Sequence, residues 1–335
     1  MGQSLVYDSH MLHTRFSELF DLQYPIMSAP MALHSGGALA AAVSAAGGLG
    51  TFGGAHPGGA EWIHAEITKV RSQTSKPFGI GFITPFLALS PVNFNATVEA
   101  ETPVVMLSFS DPTMWIEQVK ARGARVICQA QTMQDVDVAV EAGTDVLVVQ
   151  GNEAGGHTGH MALLPFLSAV LKRHPDVVTL AAGGIADGPT LAAVLACGAD
   201  GALLGTAFMA TKEAVEVHAK VKDLIVASDG SDTIFTRAWD ELGGLPWPET
   251  IGERVYHNKF TQAWHGYEDE VAGKRRELQE TFAYSSDDPD PRTDHIPMGP
   301  AAGLVSSVQS AHELMSGICE DAEEILRHKL GRILL

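Results

Sequence analysis

Short apolar runs alternate with longer amphipathic stretches between Tyr24 and about Val226. Runs of four to eight apolar residues bounded by turn-forming residues predict buried strands. Eight such runs are present, namely Pro25–Ala29, Gly48–Thr51, Phe78–Ile83, Val104–Phe109, Arg125–Ala130, Asp145–Gln150, Val177–Ala181 and Gly201–Leu204. Strands that are apolar throughout are buried on both faces, which is typical of parallel sheets covered by helices.

A repeated pattern supports a chain of strand–helix units. EAGTDVLVV and ACGADGALL each join an expected helix end, at Gly143 or Gly198, to an aspartate and an apolar strand. Glycine after a helix accepts the left-handed backbone found there. A doubly wound sheet would show the same alternation, but eight units in about 200 residues favour a closed barrel. The predicted fold is therefore α/β, a TIM (β/α)8 barrel with an additional, mainly helical segment near the C-terminus.

The character of the chain changes after residue 227. Aromatic residues such as Trp239, Trp247 and Tyr256 are mixed with charged and turn-forming residues up to Pro297. We interpret residues 228–297 as a helical insertion or cap over the barrel mouth. MGPAAGLV then returns to the barrel, so three units are expected: the barrel over 1–227, the cap over 228–297, and the return with a closing helix over 298–335.

Charge and composition narrow the choice of partners. The 335 residues carry a formal net charge of −18, which repels nucleic-acid phosphates and anionic membranes. The N-terminus lacks a signal-peptide profile, and no apolar run approaches the ~20 residues that span a bilayer. Cys128, Cys197 and Cys319 have no spacing suited to zinc or disulfides. We expect a cytoplasmic protein with a small-molecule substrate, and a homodimer is compatible with this composition.

The stretch QGNEAGGHTGH, residues 150–160, follows directly on the sixth predicted strand. In a TIM barrel the carboxyl ends of the strands face the active site. Glycines there let the backbone approach a ligand, and His157 supplies a group that titrates near neutral pH. A flexible loop with an incidental histidine is the alternative reading. A metal site of Glu153, His157 and His160 is disfavoured because glycines interrupt the helix it would need, so no metal is predicted.

Two glycine-rich turns follow the seventh and eighth strands. LAAGGIADG contains Gly183 and Gly184, and LLGT contains Gly205 and Thr206. TIM barrels commonly bind phosphate at these two loops, where backbone N–H groups hold the anion without a lysine. Each turn alone is equally typical of an ordinary strand-to-helix connection. Their occurrence together at the last two strands favours a phosphate site.

These stretches, together with PIMSAPMALH at the first strand, resemble the nitronate monooxygenase family, formerly called 2-nitropropane dioxygenases. The resemblance rests on APM, QGNEAGGHTG, AAGGIADG and GADGALLGTAF, in this order. It covers nearly all of residues 20–227, with a looser echo at GPAAGLV near residues 299–305. FabK-type enoyl-ACP reductases and certain NADH:quinone reductases share the pattern.

The resemblance implies that the 1–227 barrel binds FMN noncovalently, and it assigns the site residues. The implied cofactor-binding residues are Ala29, Pro30 and Met31 at the isoalloxazine ring, Gln129 and Gln150 at its polar edge or ribityl chain, Gly155 and Gly156 nearby, and Gly183, Gly184, Gly205 and Thr206 at the phosphate. The family's proposed base matches His157.

The activity implied is the FMN-dependent oxidation of alkyl nitronates (nitroalkanes) by O₂ to a carbonyl compound and nitrite, with His157 as acid/base. The alternative is an NAD(P)H-dependent flavin oxidoreductase acting on quinones or enoyl thioesters. A flavin-free lyase or isomerase acting on a sugar phosphate is disfavoured because no barrel strand end clearly offers a Schiff-base lysine. A non-catalytic protein that binds a phosphate ligand is a further alternative, but it does not explain the presence of His157.

Overall fold

The computed structural model describes residues 12–282, 288–329 and 332–333, so the first eleven residues of the predicted barrel unit lie outside the described residues. The described strands are β1 (Ile26–Ser28), β2 (Gly50–Gly53), β3 (Phe78–Ile83), β4 (Val104–Ser108), β5 (Arg125–Ala130), β6 (Val146–Gln150), β7 (Gly156–Thr158), β8 (Val178–Ala182), β9 (Gly201–Leu204), β10 (Thr233–Thr236) and β11 (Gly252–Tyr256).

The described α-helices are α1 (Arg15–Phe20), α2 (Gly37–Ala45), α3 (Gly59–Gln73), α4 (Thr84–Leu87), α5 (Val92–Glu99), α6 (Thr113–Lys120), α7 (Met133–Glu141), α8 (Leu163–Arg173), α9 (Gly188–Cys197), α10 (Thr206–Met209), α11 (Ala219–Ala227), α12 (Ala238–Gly243), α13 (Lys259–Trp264), α14 (Glu268–Gln279) and α15 (Ala311–Glu324). A 3₁₀ turn covers Pro300–Leu304, and a π-helical turn at Ile325–Lys329 follows α15. No helix in this described set is long and apolar enough to cross a membrane.

Eight parallel strands form one sheet in the order β1-β9-β8-β6-β5-β4-β3-β2. The two ends of that order meet, because Met27 of β1 forms a parallel bridge with Leu49, just before β2. The Leu49 N–H donates to the Ile26 carbonyl at 2.9 Å, and the Ser28 N–H donates to the Leu49 carbonyl at 3.1 Å. A doubly wound sheet would leave both edges unpaired. The predicted TIM barrel is therefore confirmed.

Alternate residues of the strands pack on opposite faces of the barrel wall, as the period of two requires. In β4, Val104 and Met106 belong to the cluster inside the barrel, whereas Val105 and Leu107 pack outward against the helices. Phe16 of α1 is fully buried in the inner cluster. Apolar packing on both sides explains why these strands read as continuous hydrophobic runs.

The expected helix ends are also present. Asp187 caps α9 by accepting a hydrogen bond from the Thr190 N–H, and the helix ends at Gly198 with φ of 109°. Gly143, after α7, has φ of 86°. Both glycines therefore occupy left-handed positions that other residues rarely adopt, as the repeated pattern predicts.

The segment 228–297 has an apolar cluster of its own. Its buried members are Ala238, Trp239, Leu242, Val255, Phe260, Val271 and Leu278. Helices α12–α14 agree with the expected helical character, but the segment also contains the antiparallel strands β10 and β11, which the sequence analysis did not predict. β11 pairs with β7, with Glu253 opposite His157, so part of the expected glycine-rich loop is a strand. This three-stranded sheet joins the segment to the barrel.

Candidate active site

A cavity of about 430 Å³ opens at the carboxyl ends of the barrel strands. All twelve residues named from the sequence line it: Ala29, Pro30, Met31, Gln129, Gln150, Gly155, Gly156, His157, Gly183, Gly184, Gly205 and Thr206. Residues of the 228–297 segment line it as well, among them Leu245, Trp247 and Glu253. The barrel and the segment therefore share one cavity, at the face where TIM-barrel enzymes place their active sites.

The residues after β1 form one wall of this cavity through close backbone packing. A Cβ atom on Gly81 of β3 would lie 2.2 Å from Cγ of Pro30, so only glycine leaves room for that ring. A Cβ atom on Gly205 would lie 3.7 Å from Sδ of Met31. The wall formed by Ala29, Pro30 and Met31 is thus contiguous with the turn after β9.

The turns after β8 and β9 lie side by side, because Ala182 and Leu203 pair in neighbouring strands. Gly183 and Gly184 have φ of 100° and 73°, both in the left-handed region. A Cβ atom on Gly183 would lie 2.8 Å from the Ala154 nitrogen. The double-glycine turn therefore requires glycine both for its conformation and for its contact with the loop after β6.

Backbone N–H groups are available at these turns. Within the described ranges, the N–H groups of Gly183, Gly184 and Gly205 donate no hydrogen bond to the protein. The Thr206 hydroxyl accepts a hydrogen bond from the Gly299 N–H at 3.1 Å, which ties the turn to the return segment. Among the described residues that line the cavity there is no lysine or arginine. An anion bound here would be held by main-chain groups, as at other helix N-termini and glycine turns.

Gln150 holds the strand that carries His157. Its Nε2 donates to the His157 carbonyl at 3.1 Å, and its Oε1 accepts from Nε2 of Gln131 at 2.9 Å. Both the nitrogen and the oxygen of the Gln150 amide are therefore hydrogen-bonded within the protein. Gln129, on the neighbouring strand β5, is half-buried at the cavity wall.

The His157 imidazole is held by two residues of the 228–297 segment. Its Nε2 lies 2.7 Å from Oδ1 of Asp240 on α12, and the two side chains are 14% and 1% exposed. Trp247 stacks on the imidazole with ring centroids 3.6 Å apart and planes 14° apart. Phe109, after β4, lies edge-on to both rings. The imidazole is therefore fixed at one nitrogen and on one face.

A second buried histidine–carboxylate pair lies beside the first. Nε2 of His295 is 2.6 Å from Oε2 of Glu253, with side chains 6% and 0% exposed. The other carboxylate oxygens, Oδ2 of Asp240 and Oε1 of Glu253, are buried and have no hydrogen-bond partner among the described residues. This arrangement gathers two carboxylates and two imidazoles at one side of the cavity, which His157, Glu253 and His295 line.

Metal-ligand geometry appears in a different trio from the one weighed in the sequence analysis. One ligand-type atom from each of His157, Asp240 and Glu253 lies within 4.8 Å of the others. Glu153 instead accepts the Leu163 N–H at the start of α8, and His160 packs against Phe235. One oxygen of each carboxylate in the trio already accepts a hydrogen bond from an imidazole. We therefore describe the group as two histidine–carboxylate pairs.

The surroundings of His157 favour its charged form. Burial lowers the pKa of the imidazole, but the hydrogen bond to Asp240 and the negative charges of Glu253 and Asp240 outweigh it, so the pKa of His157 is raised. At Glu253, burial raises the pKa, but the charge of His295 and its hydrogen bond outweigh this, so the pKa of Glu253 is lowered. At Asp240, by contrast, burial outweighs the hydrogen bond and charge of His157, so the pKa of that carboxyl is raised. The surroundings thus favour the imidazolium at His157 and the carboxylate at Glu253.

Four residues of the site were not predicted from the sequence, namely Asp240, Trp247, Glu253 and His295. They lie far from His157 in sequence and belong to no local motif, and Asp240 is 83 positions away. The available signal was the mixture of aromatic and charged residues in the 228–297 segment. That mixture indicates a surface that covers a site, but it does not say which carboxylate meets the histidine.

The nitronate monooxygenase family model matches residues 13–321 of this chain. A curated relative from Rhodococcus jostii, (3aS,4S,5R,7aS)-5-hydroxy-7a-methyl-1-oxo-octahydro-1H-indene-4-carboxyl-CoA dehydrogenase, is 34% identical over 235 residues, which is 70% of this chain. The match spans 65% of that relative's length.

Two solved structures resemble the whole chain. FabK from Thermotoga maritima has a TM-score of 0.84 and 28% sequence identity, with 96% of this chain and 100% of that chain covered. The nitroalkane oxidase from Streptomyces ansochromogenes has a TM-score of 0.76 and 26% identity, with 94% and 99% covered. These similarities extend through the 228–297 segment as well as the barrel.

Proposed function

The chain belongs to the nitronate monooxygenase family of flavin-dependent oxidoreductases, and from that premise we propose that it uses FMN to oxidise alkyl nitronates with O₂. The products are a carbonyl compound and nitrite. Atoms and charge balance when two nitronate ions and one O₂ give two carbonyl compounds and two nitrite ions. The similarity to a nitroalkane oxidase supports this substrate class.

The main-chain geometry of the cavity fits an FMN molecule. The free N–H groups of Gly183, Gly184 and Gly205 suit the phosphate, and the double-glycine turn packs so closely that a Cβ atom would disrupt it. The apolar wall of Ala29 to Met31 suits a flat ring. Bound FMN would supply the electron-transfer chemistry, whereas the protein supplies position and electrostatics.

His157 would act on the substrate through its charged form. A raised pKa extends the imidazolium form to higher pH than in an ordinary histidine, and an imidazolium pairs favourably with a nitronate anion. Removal of the α-proton from a neutral nitroalkane needs the neutral imidazole, which becomes abundant only above that raised pKa. We therefore propose that the nitronate is the better substrate and that His157 serves as a base only at higher pH.

One observation carries the proposal. A single cavity contains both the free N–H groups of the glycine turns after β8 and β9 and the imidazole of His157. A phosphate binder without catalysis would have no use for an imidazole held by a buried carboxylate. A sugar-phosphate lyase that forms a Schiff base would need a lysine, and the part of the chain that the structure describes places none in the cavity lining.

The direct test combines a spectrum, a cofactor analysis and an assay. The purified protein is expected to show flavin absorption in the visible range, and the cofactor released by heat is expected to have the mass of FMN. Nitrite is expected to form from propyl-2-nitronate in air and not under argon. A colourless protein that reconstitution with FMN does not colour, or a yellow protein that forms no nitrite, would contradict the proposal.

A second candidate is an NAD(P)H-dependent reductase of quinones or enoyl thioesters, and the similarity to FabK favours it. In that reaction the imidazolium of His157 would protonate the reduced acceptor. Anaerobic mixing with NADH or NADPH distinguishes the two candidates. Rapid bleaching of the flavin by either nucleotide supports the reductase, whereas bleaching by nitronate alone supports the oxidation.

A further inference from the structure

We propose that Asp240 is a positioning residue that holds the His157 imidazole by Nε2, so that Nδ1 is the nitrogen presented to the cavity. The catalytic consequence rests on the proposed function, but the orientation of the ring does not. Asp240 touches His157 and not the cavity itself, because it is absent from the residues that line it.

The fold brings Asp240 to this place through the small sheet. In β11, Glu253 pairs with His157 on one side and with Thr236 of β10 on the other. The Thr236 hydroxyl accepts the Ala238 N–H, which fixes the start of α12 directly after β10. Asp240 therefore lies in the first turn of a helix whose position is set by the same sheet that carries His157.

The burial of Asp240 indicates that its role is tied to His157. Its side chain is 1% exposed, and Oδ1 lies 2.7 Å from the imidazole. Oδ2 is buried without a hydrogen-bond partner in the described parts of the chain. A buried carboxylate with an unsatisfied oxygen costs free energy relative to an apolar residue of similar size. Stability therefore does not account for an aspartate here, whereas orientation and charging of His157 do.

The other contacts of His157 leave one nitrogen available. Trp247 covers one face of the ring, and Asp240 occupies Nε2. Nδ1 has no hydrogen-bond partner among the described residues, and it is not among the atoms sealed from solvent. A carboxylate that accepts the Nε2 proton keeps Nε2–H in the neutral ring, so that Nδ1 is the atom that gains and loses the proton.

The pair of Glu253 and His295 acts on the His157 imidazole through its charge and not through a side-chain hydrogen bond. Glu253 is fully buried, and one of its oxygens is bonded to His295. Among the described residues, the charges of Asp240 and Glu253 favour the imidazolium of His157, and His295 acts on both carboxylates. Asp240 differs from Glu253 in that it also fixes the direction of the ring.

Nitrogen NMR of the histidine side chains tests the orientation without any assay. The protein is prepared as the flavin-loaded full chain with ¹⁵N-histidine, and the His157→Asn variant identifies the His157 signals. In the wild type we expect the proton of the neutral ring on Nε2. In Asp240→Asn we expect the titration midpoint of His157 to fall by about 1 to 3 pH units, the range an adjacent opposite charge produces.

Kinetics separate positioning from structural support. In Asp240→Asn, kcat with nitronate at neutral pH is expected to fall roughly 100-fold, within the range for losing one electrostatic stabiliser of the reacting anion, with a smaller change in KM. The asparagine oxygen can still accept the Nε2 proton and hold the ring in place. Lowering the pH restores the imidazolium, so activity is expected to recover partly. A purely structural defect would not be rescued by acid.

Glu241→Gln is the matched control, since it removes a negative charge from the next position of α12. Glu241 pairs with Arg237 and Arg275 and not with His157. Its variant is expected to keep the wild-type titration of His157 and the wild-type pH profile. Thermal unfolding of both variants shows whether either one is merely unfolded.

Distinct results would overturn the inference. An unchanged titration midpoint of His157 in Asp240→Asn, or a neutral wild-type ring that carries its proton on Nδ1, would refute the positioning role. One equivalent of a divalent metal in the purified protein, whose removal shifts the His157 signals, would assign the carboxylate to metal binding instead. If the signals behave as expected but no nitronate is oxidised, the proposed function fails and the positioning of His157 by Asp240 stands.

Discussion

The barrel and the 228–297 segment meet at one cavity, but they bury different kinds of groups there. The barrel interior is filled with apolar side chains such as Met27, Met106 and Val148, and its strand ends present glycine backbone to the cavity. The segment buries the carboxylates of Asp240 and Glu253 instead. In the function proposed above, the barrel supplies the main-chain surface for a phosphate and a flat ring, whereas the segment sets the charge and direction of the His157 imidazole.

The two regions also contribute differently to the free energy of folding. Apolar burial contributes about 25 cal/mol per Å², so the barrel core stabilises the fold without special partners. Buried ion pairs roughly offset their own desolvation and are stable only when both partners are present. We therefore expect substitutions in the barrel turns to affect cofactor binding, and substitutions in the segment to affect turnover with the cofactor still bound.

The largest effect is expected from Gly183→Val, which disrupts the double-glycine turn after β8. Valine is strained at φ of 100°, and its Cβ would lie 2.8 Å from the Ala154 nitrogen. The variant is expected to lose FMN, seen as a colourless protein after gel filtration. Gly317→Ala is the control, because nothing lies within 4 Å of a Cβ atom there. A yellow Gly183→Val protein with normal affinity for FMN would remove this turn from the site.

His157→Asn removes the imidazole that the 228–297 segment holds in place. FMN is expected to remain bound, because the N–H groups proposed to hold its phosphate belong to the main chain. Nitronate turnover is expected to fall by roughly 10²- to 10³-fold, the range for losing one electrostatic stabiliser. Cofactor content and nitrite release are measured on the same preparation. Equal rates for the variant and the wild type would exclude His157 from the chemistry.

The pH profile sharpens the assignment to the charged imidazole. Because the pKa of His157 is raised, kcat/KM for nitronate is expected to be level below that pKa, which lies above the usual value for histidine, and to fall about tenfold per pH unit above it. The stabilisation from the ion pair is fully present below the unfolded-state pKa of histidine and is lost as the pH rises through the folded-state value. A profile that instead rises with pH for the nitronate itself would show that the neutral imidazole is the active form.

The smallest effect is expected from Trp247→Leu, which removes the ring stacked on His157 but leaves Asp240 in place. Aromatic stacking of this kind contributes about 0.5–1.5 kcal/mol, so turnover is expected to fall by about tenfold or less. Trp247→Phe keeps an aromatic face and serves as the control, with a milder loss. A loss as large as that of His157→Asn would mean that Trp247, and not Asp240, is what chiefly holds the ring.

Much of the barrel could be read from local sequence. Strands such as β3, β5 and β9 were predicted with the bounds that the structure shows, because a strand buried on both faces is a continuous apolar run. The glycine turns were equally visible, since positive φ and close packing demand glycine at Gly183 and Gly184. These features depend on neighbours in the chain, so the chain carries their signal locally. The roles assigned to the twelve cavity-lining residues remain predictions.

The rest depended on contacts between distant residues. β7 is three residues long and begins with a glycine, so it has little strand propensity and is stabilised by pairing with β11. The closure of the barrel at Met27 and Leu49 likewise joins the first and last positions of the sheet order. The hydrogen-bond partner of His157 was decided in the same way. Asp240 lies 83 positions further along the chain, and it reaches His157 only after β10, β11 and α12 have packed against the barrel. Backbone conformation is encoded by adjacent residues, whereas the charge beside a buried imidazole is set by whichever element the completed fold packs against it.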